Sequence, residues 1–321
     1  MRDSGASARP GPGGVGFEHE ALFYAADDGF LAGTVPFVAE GVSAGEAVLV
    51  VVDVAKIAAL RGALGAAGAA VRFADMAEVG ANPARIIPAW HDFVDEQVGT
   101  GRPFRGVGEP ISASRSPAEL VECQIHESLL NRAFGDGPAW RLLCPYDVTT
   151  LDPAVAAEAA RSHPTLIEGG ESRCSASYAD WPGAERTFGA ALPDPAPPLC
   201  RLEVDHRSLS AVRDLVGRQA AAAGVPPPLA ADLVLAVNEL ATNTLRHGGG
   251  RGRLLVWREP GALVCEVRDR GRLTDPLVGR RRPPREDERG RGLWMVNQLC
   301  ELVQIRSGPD GTAIRLHLRL G

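Results

Sequence analysis

Glu239 and Asn243 are four residues apart in Asn238-Glu239-Leu240-Ala241-Thr242-Asn243-Thr244-Leu245-Arg246-His247. At that spacing a carboxylate and a carboxamide share one face of a helix, one turn apart. Such a pair can hold one hard cation against phosphate oxygens while the carboxylate orients a nucleophile. By itself the pattern fits an ordinary solvated helix face better, because Glu-x-x-x-Asn is common by chance, but three later segments shift the balance. Val264-Cys265-Glu266-Val267-Arg268-Asp269-Arg270-Gly271 reads as a strand ending in Asp-x-Gly, where the acid can accept from an exocyclic amine and the glycine admits a flat ring. Arg289-Gly290-Arg291-Gly292-Leu293 opens a helical pattern, and bare backbone N–H groups at a helix N-terminus suit a phosphate. Asp310-Gly311-Thr312-Ala313-Ile314-Arg315-Leu316 reads as a turn and a closing strand.

The elements that must position these residues can be read from periodicity. Leu233, Ala236, Val237, Leu240, Ala241 and Thr244 recur at three- and four-residue steps, which predicts an amphipathic helix started by Pro226-Pro227-Pro228. Ahead of it, 199–204 alternates as a strand, and Ser208 is a candidate cap for a helix to about Ala223. Strands 252–258 and 262–269 flank Glu-Pro-Gly as a hairpin, and 302–307 with 312–318 form a second.

In this order and spacing the four segments resemble the GHKL (Bergerat) ATPase/kinase superfamily, and within it the anti-sigma-factor serine kinases. The resemblance covers about 200–320 and implies an α+β two-layer sandwich that binds ATP with Mg²⁺. It implies that Asn243 holds Mg²⁺, that Glu239 is the catalytic base and that Asp269 reads adenine. Gly271, Gly290 and Gly292 would shape the nucleotide pocket and Thr312 would support the Asp; apart from the resemblance, a lid between the glycine segments would let Arg289 or Arg291 reach phosphate. The family's first glycine box often continues to a second Gly, whereas Arg272 and Leu273 follow Gly271 here. The charge run Arg280–Arg289 between the glycine segments reads as a solvated loop or, more sharply, a nucleotide lid.

At 321 residues the chain has room for two domains, and 45% hydrophobic with 23% charged residues marks a globular protein. A net charge of −6 gives no electrostatic case for direct nucleic-acid or membrane binding. Lys56 is the single lysine, and no Gly-Lys-Ser/Thr occurs, which excludes a Walker-type P-loop. The six cysteines lack metal or disulfide spacing, and no apolar run approaches a membrane span, so a reduced, cytoplasmic protein is expected. Residues 1–16 carry little to bury and are expected to be a disordered tail.

From His19 to about 165 strands alternate with helices, which predicts an α/β domain with a mostly parallel sheet covered on both faces. The continuous apolar run Ala47–Val52 is its central strand. Such a sheet takes ligands outside its strands' carboxyl ends, where Glu109, Tyr146 and Asp147 form the candidate sensor pocket. Gly62-x-x-Gly65-x-x-Gly68 falls within or after a helix and receives no phosphate role. His19 with Tyr24, Gly108-Glu109-Pro110, Glu127 with Asn131, and Leu143-Cys144-Pro145-Tyr146-Asp147 make 17–165 similar to the MEDS sensory domain. That likeness implies sensing of an unidentified signal. His19 alone reads as structural. Residues 166–199 have the Pro/Gly/Ser composition of a linker to the kinase-like half at 200–321.

The expected function is an ATP-dependent serine/threonine kinase under sensory control. The resemblance implies an anti-anti-sigma-factor-like protein as substrate, with a sigma factor and a second copy of the chain as further partners. A sensor histidine kinase is an alternative, disfavoured because it needs a phosphoaccepting His on a dimerising helical hairpin, whereas a Pro-rich linker and a single helix from Ser208 stand there, with only His206 nearby. A non-catalytic, nucleotide-dependent sigma-factor-binding module is the third reading. The intact Glu239 argues against it.

Overall fold

The computed structural model describes residues 16–179, 189–195, 200–283 and 291–320. The tail at 1–15, and parts of the linker and of the charge run, lie outside these residues. The chain divides into two compact units: Met1–Asp75, Phe93–Ala113 and Leu130–Asp180 form the first, and Met76–Asp92, Ser114–Leu129 and Trp181–Gly321 the second. The expected boundary near 165 therefore does not follow the packing. Segments 76–92 and 114–129 belong with the C-terminal unit, and the chain passes between the units several times.

The first unit is an α/β sheet of seven strands: β1 (Phe17–Tyr24), β2 (Ala47–Val52), β3 (Val71–Asp75), β4 (Phe104–Gly108), β5 (Trp140–Asp147), β6 (Thr165–Glu168) and β7 (Glu171–Cys174). Their order is β3-β2-β4-β5-β1-β6-β7, and only the β6–β7 pair is antiparallel. Every residue of β2 is buried, as expected for a strand covered on both faces. Helices α1 (Ala26–Ser43) and α2 (Val54–Leu64) supply Phe30, Phe37, Val38, Leu60 and Leu64 to the core over Val48, Val50 and Val52. A 3-10 segment over Gly65–Ala70 follows α2.

Residues 166–174 are not linker. The Gly169-Gly170 pair, at φ 59° and 84°, makes the two-residue turn whose twist suits a hairpin. Leu166 is buried where β6 joins β1. A four-residue strand followed by Gly-Gly has the composition of a linker, so the hairpin is disguised in the sequence.

The second unit carries an antiparallel sheet in the order β11-β12-β10-β9-β8, built from β8 (Cys200–Val204), β9 (Gly252–Glu259), β10 (Ala262–Asp269), β11 (Leu302–Gly308) and β12 (Gly311–Arg319). The helices Leu209–Ala222, Pro227–His247 and Arg291–Leu299 cover one face. Pro227–His247 buries Leu233, Ala236, Val237, Leu240, Ala241 and Thr244, the positions its spacing predicts. Proline at its first position needs no N–H partner, and Arg246 and His247 complement the dipole in its last turn. This is the expected two-layer sandwich.

The sheet's other face is more polar than alternation suggests. Glu266, fully buried, pairs with Arg315 at 2.7 Å and with Arg268. Glu122, from the segment 114–129, pairs with Arg306 at 2.8 Å and Arg280 at 3.3 Å. Arg280 is thus buried rather than solvated, a correction to the loop reading at its first residue. No helix among the described residues is long and apolar enough to cross a membrane.

Candidate functional site

Helix Pro227–His247 lays Glu239 and Asn243 on its half-buried edge, one turn apart. Gly292, at the start of helix Arg291–Leu299, faces them. A Cβ added there would lie 3.2 Å from Glu239 Oε2 and 3.2 Å from Asn243 Nδ2. A side chain there would press on both groups and make them give way by a few tenths of an ångström, so glycine lets this acid, this amide and this N-terminus meet without displacement. Neither Glu239 nor Asn243 makes a side-chain hydrogen bond or ion pair among the described residues. Their polar atoms are therefore available to a ligand, and Asn243 Oδ1 and the Glu239 carboxylate are hard oxygen donors that fit Mg²⁺. A cavity of ≈ 360 Å³ opens beside them, lined by Glu239, Arg282, Pro283, Arg291, Gly292, Trp294 and Met295.

Asp269, in contrast, is tightly held. It ends β10, paired with Thr312 on β12 and Gly252 on β9. Its Oδ2 accepts from Thr244 Oγ1 at 2.7 Å and its Oδ1 from the Gly271 N–H at 2.8 Å. Each oxygen keeps a lone pair for another donor. A Cβ on Gly248 would fall on this carboxylate, so the helix end must be glycine for the acid to stand there. Gly271 is pressed as closely: its Cβ would meet the His247 carbonyl at 2.7 Å. Thr312 donates to the Gly271 carbonyl at 2.8 Å and bonds Ser307 Oγ at 2.8 Å, so it braces the turn beside the carboxylate. Where a second glycine was lacking, the Leu273 N–H is instead held by Ser307 at 2.8 Å.

Glu239, Asn243 and Gly292 thus come together, and Asp269, Gly271 and Thr312 form a second group at the C-terminal end of the same helix, where Thr244 adjoins Asn243. Arg291 is exposed on the cavity rim. Arg289 and Gly290 lie outside the described residues. Sequence reasoning missed Thr244, counted only as a small residue of the buried face, and Gly248. Their signal was local: a hydroxyl and a glycine flanking the helix end that meets Asp269.

The sensor residues of the first unit divide between two sites. Tyr146 and Asp147 are consecutive in β5, so their side chains leave opposite faces of the sheet. Tyr146 is buried with its ring edge-on to His163 at 5.6 Å, away from Glu109. Asp147 closes its own turn, accepting from the Thr149 N–H at 3.0 Å and from the Thr149 hydroxyl at 2.5 Å. Slight burial acts to raise its carboxyl pKa, but these bonds hold it below the ordinary value.

Glu109 instead meets Tyr24 and Lys56, neither of which had been assigned to the pocket. Lys56 Nζ lies 2.6 Å from Glu109 Oε2 and 2.9 Å from Tyr24 Oη, and the tyrosine donates to Glu109 Oε1 at 2.7 Å. Burial pushes the Glu109 carboxyl above its usual range despite the lysine, and burial with the Glu109 charge pushes the Tyr24 phenol up as well. Asp53 caps α2 through the Lys56 N–H at 2.9 Å and so aims this lysine at the strand ends. Ala26, just past β1, is the described non-glycine residue with positive φ, at 57°. The cluster occupies the carboxyl ends of β1, β2 and β4, where a parallel sheet presents ligands.

Two family models match the chain. Residues 202–318 match the histidine kinase-like ATPase domain, and residues 18–164 match MEDS, the MEthanogen/methylotroph, DcmR Sensory domain. The two matches divide the chain into a MEDS-like part and a part similar to an ATP-binding, kinase-like ATPase domain. Among solved structures, one match is the RsbU and RsbW domains of Rv1364c from Mycobacterium tuberculosis, at 24% identity and TM-score 0.30. It covers 39% of this chain and 33% of that one. No curated protein matches.

Proposed function

We propose that the protein is an anti-sigma-type serine/threonine kinase whose activity its MEDS domain controls. The observation that carries this reading is the approach of Gly292 to Glu239 and Asn243, both without partners among the described residues. A purely structural helix face would have no reason to hold an acid and an amide uncommitted against a glycine helix start.

In this reading Asp269 accepts a hydrogen bond from the exocyclic amine of adenine, and Gly271, braced by Thr312, lets the ring approach the backbone. Mg²⁺, held by the Asn243 oxygen, would neutralise phosphate charge. The N–H groups around Gly290 and Gly292 hold phosphate oxygens at a helix N-terminus, with Arg289 or Arg291 adding charge. Glu239 takes the proton of the attacking serine hydroxyl. The substrate is an anti-anti-sigma-factor-like protein, and the Lys56–Glu109–Tyr24 cluster is the sensory input. His206 is exposed in the turn after β8 rather than on a helical hairpin, which gives a phosphohistidine relay no support.

The experiment is transfer of the γ-phosphoryl group from labelled ATP to an anti-anti-sigma-factor-like protein of the same organism, using wild type and Glu239→Gln. Acid-stable phosphoserine is expected with wild type, and a loss of roughly 100-fold or more with the variant, which should still bind ATP. Acid-labile label on this chain would favour the histidine kinase. ATP binding without any transfer would favour a binding module.

A further inference from the structure

On the face of the first sheet opposite the Lys56–Glu109 cluster, His19, Cys144 and His163 converge. His19 and Cys144 are diagonal neighbours on adjacent strands β1 and β5, and His163 follows the helix Pro153–Ser162 directly. All three are at most 2% exposed. Their ligating atoms lie within 4.8 Å of one another, with His19 Nε2 3.3 Å from Cys144 Sγ and the imidazole centroids 3.9 Å apart.

The surrounding hydrogen bonds orient both rings alike. Asn131 donates its amide to the Ser162 carbonyl at 2.7 Å, which turns its oxygen toward His19 Nδ1 at 3.2 Å. His19 therefore carries its proton on Nδ1 and presents Nε2 to Cys144. His163 Nδ1 lies 2.8 Å from the Ala159 carbonyl, an acceptor only, so it too keeps its proton there and presents Nε2. An Nδ1–H bonded to a fixed carbonyl oxygen is the usual means of fixing a metal-bound imidazole. A thiol–imidazole hydrogen bond would explain the 3.3 Å distance but not the second, identically oriented histidine.

We propose that His19, Cys144 and His163 bind a zinc-class divalent cation inside the MEDS domain. One thiolate and two neutral imidazoles are donors that favour zinc and exclude calcium or magnesium. Tetrahedral zinc with ordinary bond lengths sets its donors roughly 3.3–3.6 Å apart; His19 Nε2 and Cys144 Sγ already stand at 3.3 Å, and the rest of the cluster, within 4.8 Å, must close further on the ion. A further donor completes the coordination. The ion would tie β1, β5 and the entry to β6 together, and it gives the chemistry at this face a role unrelated to the nucleotide.

The test uses the untagged full chain, zinc analysis after desalting against a weak chelator, and Co²⁺ as a spectroscopic probe. Zinc at one ion per chain is expected, with a thiolate-to-cobalt charge-transfer band in the Co²⁺ form that Cys144→Ser abolishes. Asn131→Leu keeps all three donors and should weaken zinc binding about 10–100-fold by freeing the His19 ring. Circular dichroism checks that each variant is folded. Should Cys144→Ser not fold, stripping zinc from wild type with a strong chelator must lower its melting temperature. Folded wild type that takes up neither zinc nor cobalt overturns the proposal, as does a charge-transfer band that persists in folded Cys144→Ser.

Discussion

Replacing Asp269 by Asn removes one charge while keeping the size of the side chain, so it separates the carboxylate's chemistry from the shape of its turn. In the native site Oδ1 takes the Gly271 N–H at 2.8 Å and Oδ2 takes the Thr244 hydroxyl at 2.7 Å. The Gly271 amide can only donate, so the Asn oxygen must remain there. Its NH₂ then faces Thr244, whose hydroxyl can rotate to accept. Both bonds survive as neutral ones, and the fold should lose only about 1–2 kcal/mol, the difference between charged and neutral hydrogen bonds summed over the pair.

The ligand pays more. In the proposed site the position that would accept the adenine amine now offers an N–H to another N–H, and an amine left unpaired costs about 1–3 kcal/mol. That corresponds to roughly 5- to 150-fold weaker ATP binding. Isothermal titration calorimetry with Mg-ATP, beside a urea melt of each protein, measures both quantities. Thr244→Val is the companion variant: it loosens the carboxylate but leaves its charge, and should weaken ATP binding less. A folded Asp269→Asn protein that binds ATP as tightly as wild type would refute the adenine assignment.

Gly292→Ala places a methyl 3.2 Å from both Glu239 and Asn243, so it should cut phosphoryl transfer by about tenfold or more with little change in melting temperature. An unchanged rate would mean that these groups are not positioned against each other for catalysis. Lys56→Met leaves Glu109, 3% exposed, buried without its cation, and should destabilise the protein by up to about 3–5 kcal/mol. Adding Glu109→Gln should recover part of that loss in urea denaturation. His317 is held below its ordinary pKa of 6.5 by burial, with Glu259 opposing and Arg315 assisting. Its neutral form is therefore the stable one: its contribution is complete above pH 6.5 and is lost as pH falls through the lower folded value. Urea melts across that range should be steeper in pH for wild type than for His317→Gln.

The order of strands and helices could be read from the sequence because each long element carries one clear period. The six apolar positions of Pro227–His247 are buried as spaced, and that alone fixes Glu239 and Asn243 on the remaining face. What periodicity could not give was pairing between distant segments. Thr244 reads as one more small core residue until Asp269 arrives from a strand 25 positions later. Lys56 reads as a surface lysine on a helix until Glu109, 53 residues on, closes over it. Tyr146 and Asp147 were grouped because they adjoin in sequence, which in a strand is what separates them.

The division into units carries a further consequence for the nucleotide site. Helix Arg291–Leu299 begins at the glycine that touches Glu239 and ends in carbonyls that need partners. Those partners come from the segment Met76–Asp92 within the same unit. Arg85 donates to Asn297 O at 2.8 Å, Gln298 O at 2.6 Å and Cys300 O at 3.1 Å, and Asn82 donates to Asn297 O and Cys300 O at 3.1 Å each. Asn82 is fully buried, so losing these bonds would strand polar groups at about 1–3 kcal/mol apiece. A rigid helix moves as a whole, and whatever shifts Asn82 and Arg85 must therefore shift Gly292 or break that cap. Both residues fall inside the stretch that matches the MEDS family. The proposed control of the kinase-like half consequently needs no signal through the proline-rich linker: segment 76–92, entered directly from the end of β3, already grips the helix at whose start the proposed phosphate site lies.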